Sequence, residues 1–272
     1  MPPLGLAASL GLGTPRAATS SGATGGDDGI PGEQDVIDLG PEAWWDASYA
    51  DSVKSDDSGS EATATDGQDV TKWISREGND EEIVQATASK QPTWDEVNSD
   101  FNDRSTLRFT ASASTLIQNS SVYVDGSGNV GTIFIVGKCD GAPGAANRIA
   151  NWGDTQGNLG VNFDGGSFFV YKTASASWQE FPVGVTGQEQ ALFMVGVHLD
   201  GASSYGSSNE GTNVAFSAGA GLTPSSGVTA LGRYGGNTPN WDCAEYIIFN
   251  TALNATDFAK VENYLKNKYD GF

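Results

Sequence analysis

The sequence is poor in the residues on which several common protein chemistries depend. Its 272 residues include two cysteines and one histidine. Two cysteines cannot form a disulfide scaffold in a chain of this length, and Cys139 and Cys243 have no zinc-ligand spacing. They are either free and buried or joined in one bridge, and their positions in or beside predicted core strands favour free thiols. His198 lies in the predicted strand LFMVGVHLD with no second histidine to complete a metal or catalytic site.

Positive charge is also scarce, since 14 lysines and arginines face 34 aspartates and glutamates, which gives a formal net charge of −20. An acidic surface repels phosphate groups, so we expect neither nucleic acid nor an anionic membrane as a partner. No run of 18 apolar residues is present, which predicts no transmembrane helix. The start has no basic residue before Arg16 and its apolar stretch is interrupted by glycines, so no secretory signal is predicted.

What the sequence does contain is typical of an all-β protein. Short runs rich in Val, Ile and Phe alternate with segments rich in Gly, Ser, Thr and Asn, and they predict about ten to twelve strands. The most apolar run, VGTIFIVGK at 130–138, is typical of a strand covered on both faces. The exception is the C-terminus, where Asn254 or Thr256 precedes apolar residues at helical spacing: Phe258, Val261 and Leu265.

The chain divides into two parts by composition. Residues 1–40 are rich in Gly, Ser, Thr and Pro and predict an extended, low-complexity N-terminal arm, whereas residues 41–272 carry the strand pattern. An arm gains order only by contacts, because fixing each residue costs about 1–2 kcal/mol. Four apolar side chains are the predicted anchors to a partner: Leu4, Leu6, Leu10 and Leu12. The alternative is a flexible linker.

Several segments of the domain resemble the LamG-like members of the concanavalin A-like jelly-roll domains. The similar segments are WWDAS at 44–48, VTKWIS at 70–75, Gln91-Pro92-Thr93, STLRFTAS at 105–112 and the C-terminal AEYIIFN strand with the helix after it. The resemblance extends over roughly residues 41–272. It implies a sandwich of two antiparallel sheets, one of them concave, with one short C-terminal helix.

The resemblance also implies a function. Such domains bind glycans or proteins and recur in phage particles as decoration, fibre and adhesin proteins. We therefore expect a non-enzymatic structural protein on the surface of a phage particle, in the head or the tail. The arm would bind other virion proteins, the domain would form a homo-oligomer such as a trimer, and it would contact glycans of the host surface. The alternatives are a free or cell-surface carbohydrate-binding module and a glycan-cleaving enzyme.

Two groups of residues are candidates for glycan or partner binding, because aromatic rings stack on sugars and Asp and Asn side chains bind hydroxyl groups. The same residue types are also common at turns and sandwich rims. The first group lies on two neighbouring strands and their turn: Trp152, Asp154, Asn158, Asn162 and Asp164. The second lies in the loop GRYGGNTPNWD: Arg233, Tyr234, Asn237, Asn240 and Trp241.

Enzymatic activity is not expected from the motifs. Some concanavalin A-like proteins are glycosidases with a Glu-x-Asp-x-Glu strand, and this pattern does not occur in the sequence. A Ser-His-Asp set, a P-loop and a G-x-S-x-G motif are missing as well. No cofactor and no metal are predicted. Calcium stays open as an alternative because the turn DGSGN at 125–129 offers a few oxygen ligands.

Overall fold

The fold is a sandwich of two antiparallel β-sheets with helices on one side, as seen in a computed structural model of the chain. The structure describes residues 29–49, 51–55, 62–77, 81–111, 116–119, 130–141, 147–153, 159–164, 167–172, 177–181, 190–209, 211–216, 228–232 and 239–272. The prediction of an all-β sandwich of antiparallel sheets with one C-terminal helix is confirmed.

Seventeen strands and two α-helices are present in the described parts. The strands are β1 (Ala43–Asp46), β2 (Val53–Lys54), β3 (Lys72–Ile74), β4 (Glu82–Val84), β5 (Thr93–Asn98), β6 (Arg104–Phe109), β7 (Leu116–Asn119), β8 (Val130–Cys139), β9 (Asn147–Gly153), β10 (Leu159–Asp164), β11 (Ser167–Lys172), β12 (Ser177–Phe181), β13 (Leu192–Asp200), β14 (Tyr205–Ser208), β15 (Val214–Ala215), β16 (Val228–Gly232) and β17 (Trp241–Phe249). The helices are α1 (Glu33–Asp38) and α2 (Ala255–Tyr269). The expected ten to twelve strands were too few, because strands of two to four residues give little sequence pattern.

The first sheet has eight strands in the order β15-β14-β13-β8-β17-β6-β5, with β1 also paired to β17. The second has nine in the order β12-β11-β10-β9-β16-β7-β4-β3-β2. The main core lies between the sheets and includes large aromatic side chains from both: Trp45, Trp73, Phe109, Trp152, Phe163, Phe168, Phe193, Trp241 and Tyr246. The two sheets therefore each have an inner apolar face and an outer face.

The C-terminal helix covers the outer face of the first sheet. Asn254 caps it, since its side chain accepts a hydrogen bond from the Asp257 amide at 3.0 Å. Phe258, Val261 and Leu265 are buried in a second apolar cluster with Trp44, Phe134 and Ile247 of the sheet. The predicted cap and apolar face are confirmed. An apolar strip on the sheet and one on the helix cover each other.

A second, short helix joins this layer from the N-terminal side. Helix α1 buries Val36 in the same cluster, and the Asn267 side chain of α2 donates to the Pro31 carbonyl at 3.0 Å. Helix α1 lies within the stretch 1–40 that the sequence predicts as an arm. The proposed anchors Leu4, Leu6, Leu10 and Leu12 lie outside the described residues, and their role stays a prediction.

Both cysteines are free and buried, as the sequence favoured. Burial raises the pKa of the Cys139 and Cys243 thiols, which keeps them in the unreactive neutral form. Among the described helices, none is long and apolar enough to span a membrane.

Candidate functional site

The two tryptophans predicted as sugar platforms lie in the core instead. Trp152 is 1% exposed between the sheets, and its indole N–H donates to the Tyr246 hydroxyl. Trp241 is fully buried and stacks on Phe109 with ring centroids 4.9 Å apart. Neither ring is available to a sugar, which corrects their place in the predicted groups. The strand alternation turns each of them inward, where a large aromatic side chain contributes most by burial.

The structure describes only some of the other predicted residues. Asn240 is exposed, and its side chain accepts a hydrogen bond from the Ala111 amide at 2.8 Å. Asp164 ends β10 opposite Ser167. The remaining five lie outside the described residues: Asp154, Asn158, Arg233, Tyr234 and Asn237. The turn DGSGN proposed for calcium lies outside them too, and within the described chain no group of three His, Cys, Asp or Glu side chains forms a metal-binding cluster.

Among its described residues, the outer face of the second sheet carries several polar side chains. Alternation places these side chains outward, because their strand neighbours Val53, Trp73, Ile117, Ala150, Trp152, Val161 and Phe163 are in the core. We call this surface the polar face. Its described residues are Lys54, Lys72, Ile74, Glu82, Val84, Gln118, Asn151, Gly160, Asn162 and Ala230. Helices α1 and α2 both pack on the first sheet, so neither of them covers it.

Asn162 is the unusual residue of the polar face. It is 0% exposed, and neither its Nδ2 nor its Oδ1 has a hydrogen-bond partner. A buried polar group without a partner costs about 1–3 kcal/mol, so such groups are rare in folded proteins. Asn162 was among the predicted binding residues, and of the described ones it and Trp241, through its Nε1, have buried polar atoms without a partner.

Asn151, on the neighbouring strand β9, is also buried with an unpaired side-chain atom. It is 1% exposed and its Nδ2 has no partner. Its register partner in β10 is Gly160. A Cβ at Gly160 would lie 3.0 Å from Asn151 Oδ1 and 3.1 Å from the Ala150 carbonyl oxygen. Glycine at this position therefore leaves room for the Asn151 side chain.

A pair of acidic side chains forms a separate group on the outer face of the first sheet. Arg108 Nη1 donates to Asp140 Oδ1 at 2.7 Å and to Asp242 Oδ2 at 3.0 Å. Burial raises the pKa of Asp242 to about 6, although Arg108 acts against it. The hydrogen bond from Arg108 lowers the pKa of Asp140. Two nearby carboxyl groups thus have their pKa values moved in opposite directions.

The largest group of charges is wholly buried between the first sheet and the helices. We call it the ion network. Lys268 Nζ donates to Asp46 Oδ2 at 2.5 Å and to Glu245 Oε2 at 2.9 Å, and all three side chains are 0% exposed. Arg76 extends the ion network from Asp46, at 3.1 Å, to Glu33 of α1.

Hydrogen bonds surround the carboxylates of the ion network. Glu245 accepts from Trp44 Nε1 at 2.5 Å, from the Tyr264 hydroxyl at 3.0 Å and from the Tyr269 hydroxyl at 2.7 Å. Burial raises the pKa of Glu245, while Lys268 and Arg76 outweigh burial at Asp46 and lower its pKa. Because no member is exposed, we assign the ion network to the stability of the fold rather than to substrate chemistry.

Solved structures with a similar fold include a sialidase and arabinofuranosidases. Trypanosoma rangeli sialidase in complex with the inhibitor DANA has a TM-score of 0.53 at 11% identity, over 85% of this chain and 33% of that chain. An arabinofuranosidase complexed with arabinofuranosyl-α-1,2-xylobiose has a TM-score of 0.52 at 12% identity, over 74% of this chain and 51% of that chain. A GH54 α-L-arabinofuranosidase soaked with a cyclic sulfate inhibitor has a TM-score of 0.52 at 13% identity, over 76% of this chain and 52% of that one.

This chain therefore spans about a third of the sialidase and about half of each arabinofuranosidase. No protein-family model and no curated protein matches the sequence. At these identities the similarity establishes the fold alone.

The comparison overturns two expectations from the sequence. The chain was predicted as a structural protein of a phage particle and as a non-enzyme, but the solved proteins that share its fold over part of their length are named as a sialidase and as arabinofuranosidases. Both predictions are wrong. The motif search tested one catalytic arrangement, Glu-x-Asp-x-Glu on a strand, and a missing motif does not exclude catalysis by residues far apart in sequence.

Sequence reasoning missed Asn151 and the pair Asp140 and Asp242. Asn151 lies in the segment RIANWG between Ala150 and Trp152, which both point into the core. Strand alternation around these two apolar residues could have predicted that Asn151 points to the opposite face. The acidic pair comes from β17 and from the residue after β8, 102 residues apart in the sequence, and only the strand pairing brings them together.

Proposed function

We propose that this chain is the glycan-recognising β-sandwich of a glycan-processing protein, and that the polar face is its binding surface. The observation that carries the proposal is the difference between the two outer faces. Helices α1 and α2 cover the first sheet with their apolar side chains, whereas among the described residues no helix covers the second. Lys72, Val84 and Gln118 are at least partly exposed there, and Asn162 and Asn151 are buried beside them with unpaired polar atoms. The fold shared with a sialidase and arabinofuranosidases supports a role with glycans.

The chemistry of the polar face suits a carbohydrate. Each sugar hydroxyl donates and accepts a hydrogen bond, and a side-chain amide offers both a donor and an acceptor. Neighbouring strands are about 4.8 Å apart, so the nine strands provide a surface on which several sugar units fit side by side. We further propose that the domain is of the LamG-like, concanavalin A-like type that its sequence resembles.

The proposal is tested by binding of the full chain to soluble arabinoxylan, a polysaccharide long enough to cross several strands. Val84 is 37% exposed on the polar face, and Val97 is 63% exposed on β5 of the first sheet. Val84→Arg is expected to weaken arabinoxylan binding at least tenfold in calorimetry, because the larger side chain blocks the surface. Val97→Arg makes the same change on the other sheet and is expected to leave the affinity unchanged.

Binding is also measured on a wider set of immobilised glycans, which includes sialylated and arabinofuranosyl-terminated oligosaccharides. The result then does not depend on a single polysaccharide. A chain that binds none of these glycans contradicts the proposal. Equal losses of affinity in Val84→Arg and Val97→Arg would place the binding surface elsewhere.

Glycan cleavage is a second candidate function, favoured by the acidic pair. Retaining glycosidases use two carboxyl groups about 5–5.5 Å apart, one protonated as the acid and one ionised. Asp242, with a pKa of about 6, suits the acid, and Asp140 suits the ionised partner. Both contact one nitrogen of Arg108, so their oxygens are close enough for this role.

The cleavage candidate is tested by release of nitrophenol from nitrophenyl arabinofuranoside and of sialic acid from sialyllactose. Asp242→Asn is expected to abolish any release, and wild-type activity is expected to fall as the pH rises through about 6 because the acid loses its proton. Asp100→Asn, which alters an exposed carboxylate paired with Lys138, is the matched control. Activity that survives in Asp242→Asn excludes this pair as the catalyst.

A further inference from the structure

We propose that the ion network forms a covalent amide bond between the side chains of Lys268 and Asp46. The folded chain modifies itself: Lys268 Nζ becomes bonded to Asp46 Cγ, and one water molecule leaves. The bond belongs to the scaffold and is independent of the proposed function. Its basis is the contact of the two reacting groups, since Nζ lies 2.5 Å from Oδ2, the atom bonded to Cγ, and both side chains are 0% exposed.

The surroundings of the pair favour an uncharged product. Lys268 Nζ lies 5.6 Å from the centroid of the Tyr264 ring and 5.4 Å from that of the Tyr269 ring. Charges taken out of water carry a desolvation cost, which an amide does not have to the same degree. Two groups held in contact also react as if they were highly concentrated, with effective molarities that reach about 10⁵–10⁸ M. The fold thus supplies both conditions that free lysine and aspartate in water lack.

Glu245 is placed to carry protons in this reaction. It is the register partner of Asp46 across β1 and β17, and its Oε2 lies 2.9 Å from Lys268 Nζ. Two like charges directly opposite each other on a sheet are destabilising, so the position calls for a group that changes its charge easily. Burial raises the pKa of Glu245, which makes its carboxylate a better proton acceptor than that of an exposed glutamate.

The reaction balances without a further reagent. Lys268 gives one ammonium proton to Glu245, and the freed electron pair on Nζ attacks Asp46 Cγ. Negative charge then develops on the oxygens of Asp46, where Oδ1 accepts a hydrogen bond from the Ser48 amide at 2.9 Å and Oδ2 accepts one from Arg76 at 3.1 Å. Glu245 passes its proton to Oδ2 and relays a second one from Nζ to the same oxygen. The bond from Cγ to Oδ2 breaks, water leaves, and Nζ keeps one hydrogen as an amide.

The bond joins the end of β1 to the last turn of α2, 222 residues apart in the sequence. A crosslink of this kind stabilises a protein mainly because it restricts the unfolded chain. The ion network is then the state that precedes the bond, and its charges hold the reacting groups in position.

The test is the intact mass of the full chain, measured under denaturing conditions after storage until the mass no longer changes. The wild type is expected to be lighter than its sequence by the mass of one water molecule. Lys268→Met, Asp46→Ala and Glu245→Gln are each expected to have the full mass of their sequences. The matched control is Lys260→Met, because Lys260 contacts Asp257 at 2.7 Å on the accessible side of the same helix. This variant is expected to lose the water molecule as the wild type does.

Peptide mapping of the wild type locates the bond without relying on variants that fail to fold. Trypsin does not cut after an acylated lysine, so the digest is expected to contain a branched peptide that joins Asp46 to Lys268. A wild-type chain of full mass overturns the proposal, and so does a loss of water that maps to any other position. A branched peptide formed in equal yield by Glu245→Gln overturns the role of Glu245 as the proton carrier.

Discussion

The carboxyl group of Asp242 links the local environment of one residue to the stability of the whole protein. Its pKa is raised from 3.8 to about 6, chiefly by burial. The folded state therefore binds a proton more tightly than the unfolded state does. The sign follows directly: between about pH 6 and pH 4 the folded protein holds a proton that the unfolded chain releases, so lowering the pH stabilises the fold.

We predict that the Tm rises as the pH falls from about 7 to about 5, and that Asp242→Asn removes much of this rise. The two-unit shift corresponds to about 3 kcal/mol at neutral pH, an order-of-magnitude figure, because one unit is worth about 1.4 kcal/mol. The measurement is a series of thermal melts of both proteins. Asp100→Asn should follow the wild type, and a slope that persists in Asp242→Asn would show that other groups cause it.

Gly196 is a residue whose lack of a side chain permits close packing of a helix. A Cβ there would lie 2.5 Å from Phe258 Cζ and 3.1 Å from Phe134 Cε1. Gly196→Ala is therefore expected to displace the Phe258 ring and lower the free energy of unfolding by about 1–3 kcal/mol, the usual cost of overpacking. Gly141 has open space around its Cα. A denaturant titration of Gly141→Ala should accordingly show no loss, whereas equal losses in both variants would contradict the packing argument.

At the scale of elements, the ion network joins helix α2 to strands β1 and β17. Lys268→Met is expected to leave Asp46 and Glu245 buried without their shared cation, at a cost of about 3–5 kcal/mol. The methionine keeps most of the aliphatic stem, so the loss reports the charge rather than packing. Thermal melts followed by circular dichroism measure it.

Lys260→Met provides the comparison, because Lys260 pairs with Asp257 on the exposed side of the same helix. Little change in Tm is expected there. A Lys268→Met protein as stable as the wild type would show that the buried carboxyl groups are neutral in the folded state.

Much of the element pattern could be predicted from the sequence, and the exceptions have physical reasons. The C-terminal helix was predictable because its cap and apolar spacing are local signals. Helix α1 was not, since six residues with no side-chain cap at Gly32 give no such signal. The inward orientation of Trp152 and Trp241 was missed because strand residues on the two faces alternate, and composition alone does not identify the buried face.

The ion network could not be predicted either. Asp46 and Lys268 are 222 residues apart, and their contact depends on the docking of a helix on a sheet. Asn162 was predicted for its residue type and its place next to a turn. Its unpaired amide became evident only from the three-dimensional packing.

For the whole molecule, the formal net charge of −20 dominates the long-range electrostatic contribution to stability. Repulsion among like charges destabilises the compact state, and salt screens it. We expect the Tm to rise when NaCl is added to about 1 M, where the Debye length is about 3 Å. KCl at the same ionic strength should have an equal effect, because screening does not depend on the cation. A Tm that falls with both salts would mean that the ion pairs outweigh the repulsion.

The pairing of α1 with α2 has a consequence for how the molecule is attached to anything else. The first described residues and the C-terminal helix lie together on the side away from the polar face, held by the contact of Asn267 with Pro31. A tag, a linker or a further domain joined at either of these points leaves from the helical side. Immobilising the protein through its C-terminus would therefore orient the second sheet towards the solution, so that a flowing ligand meets it first.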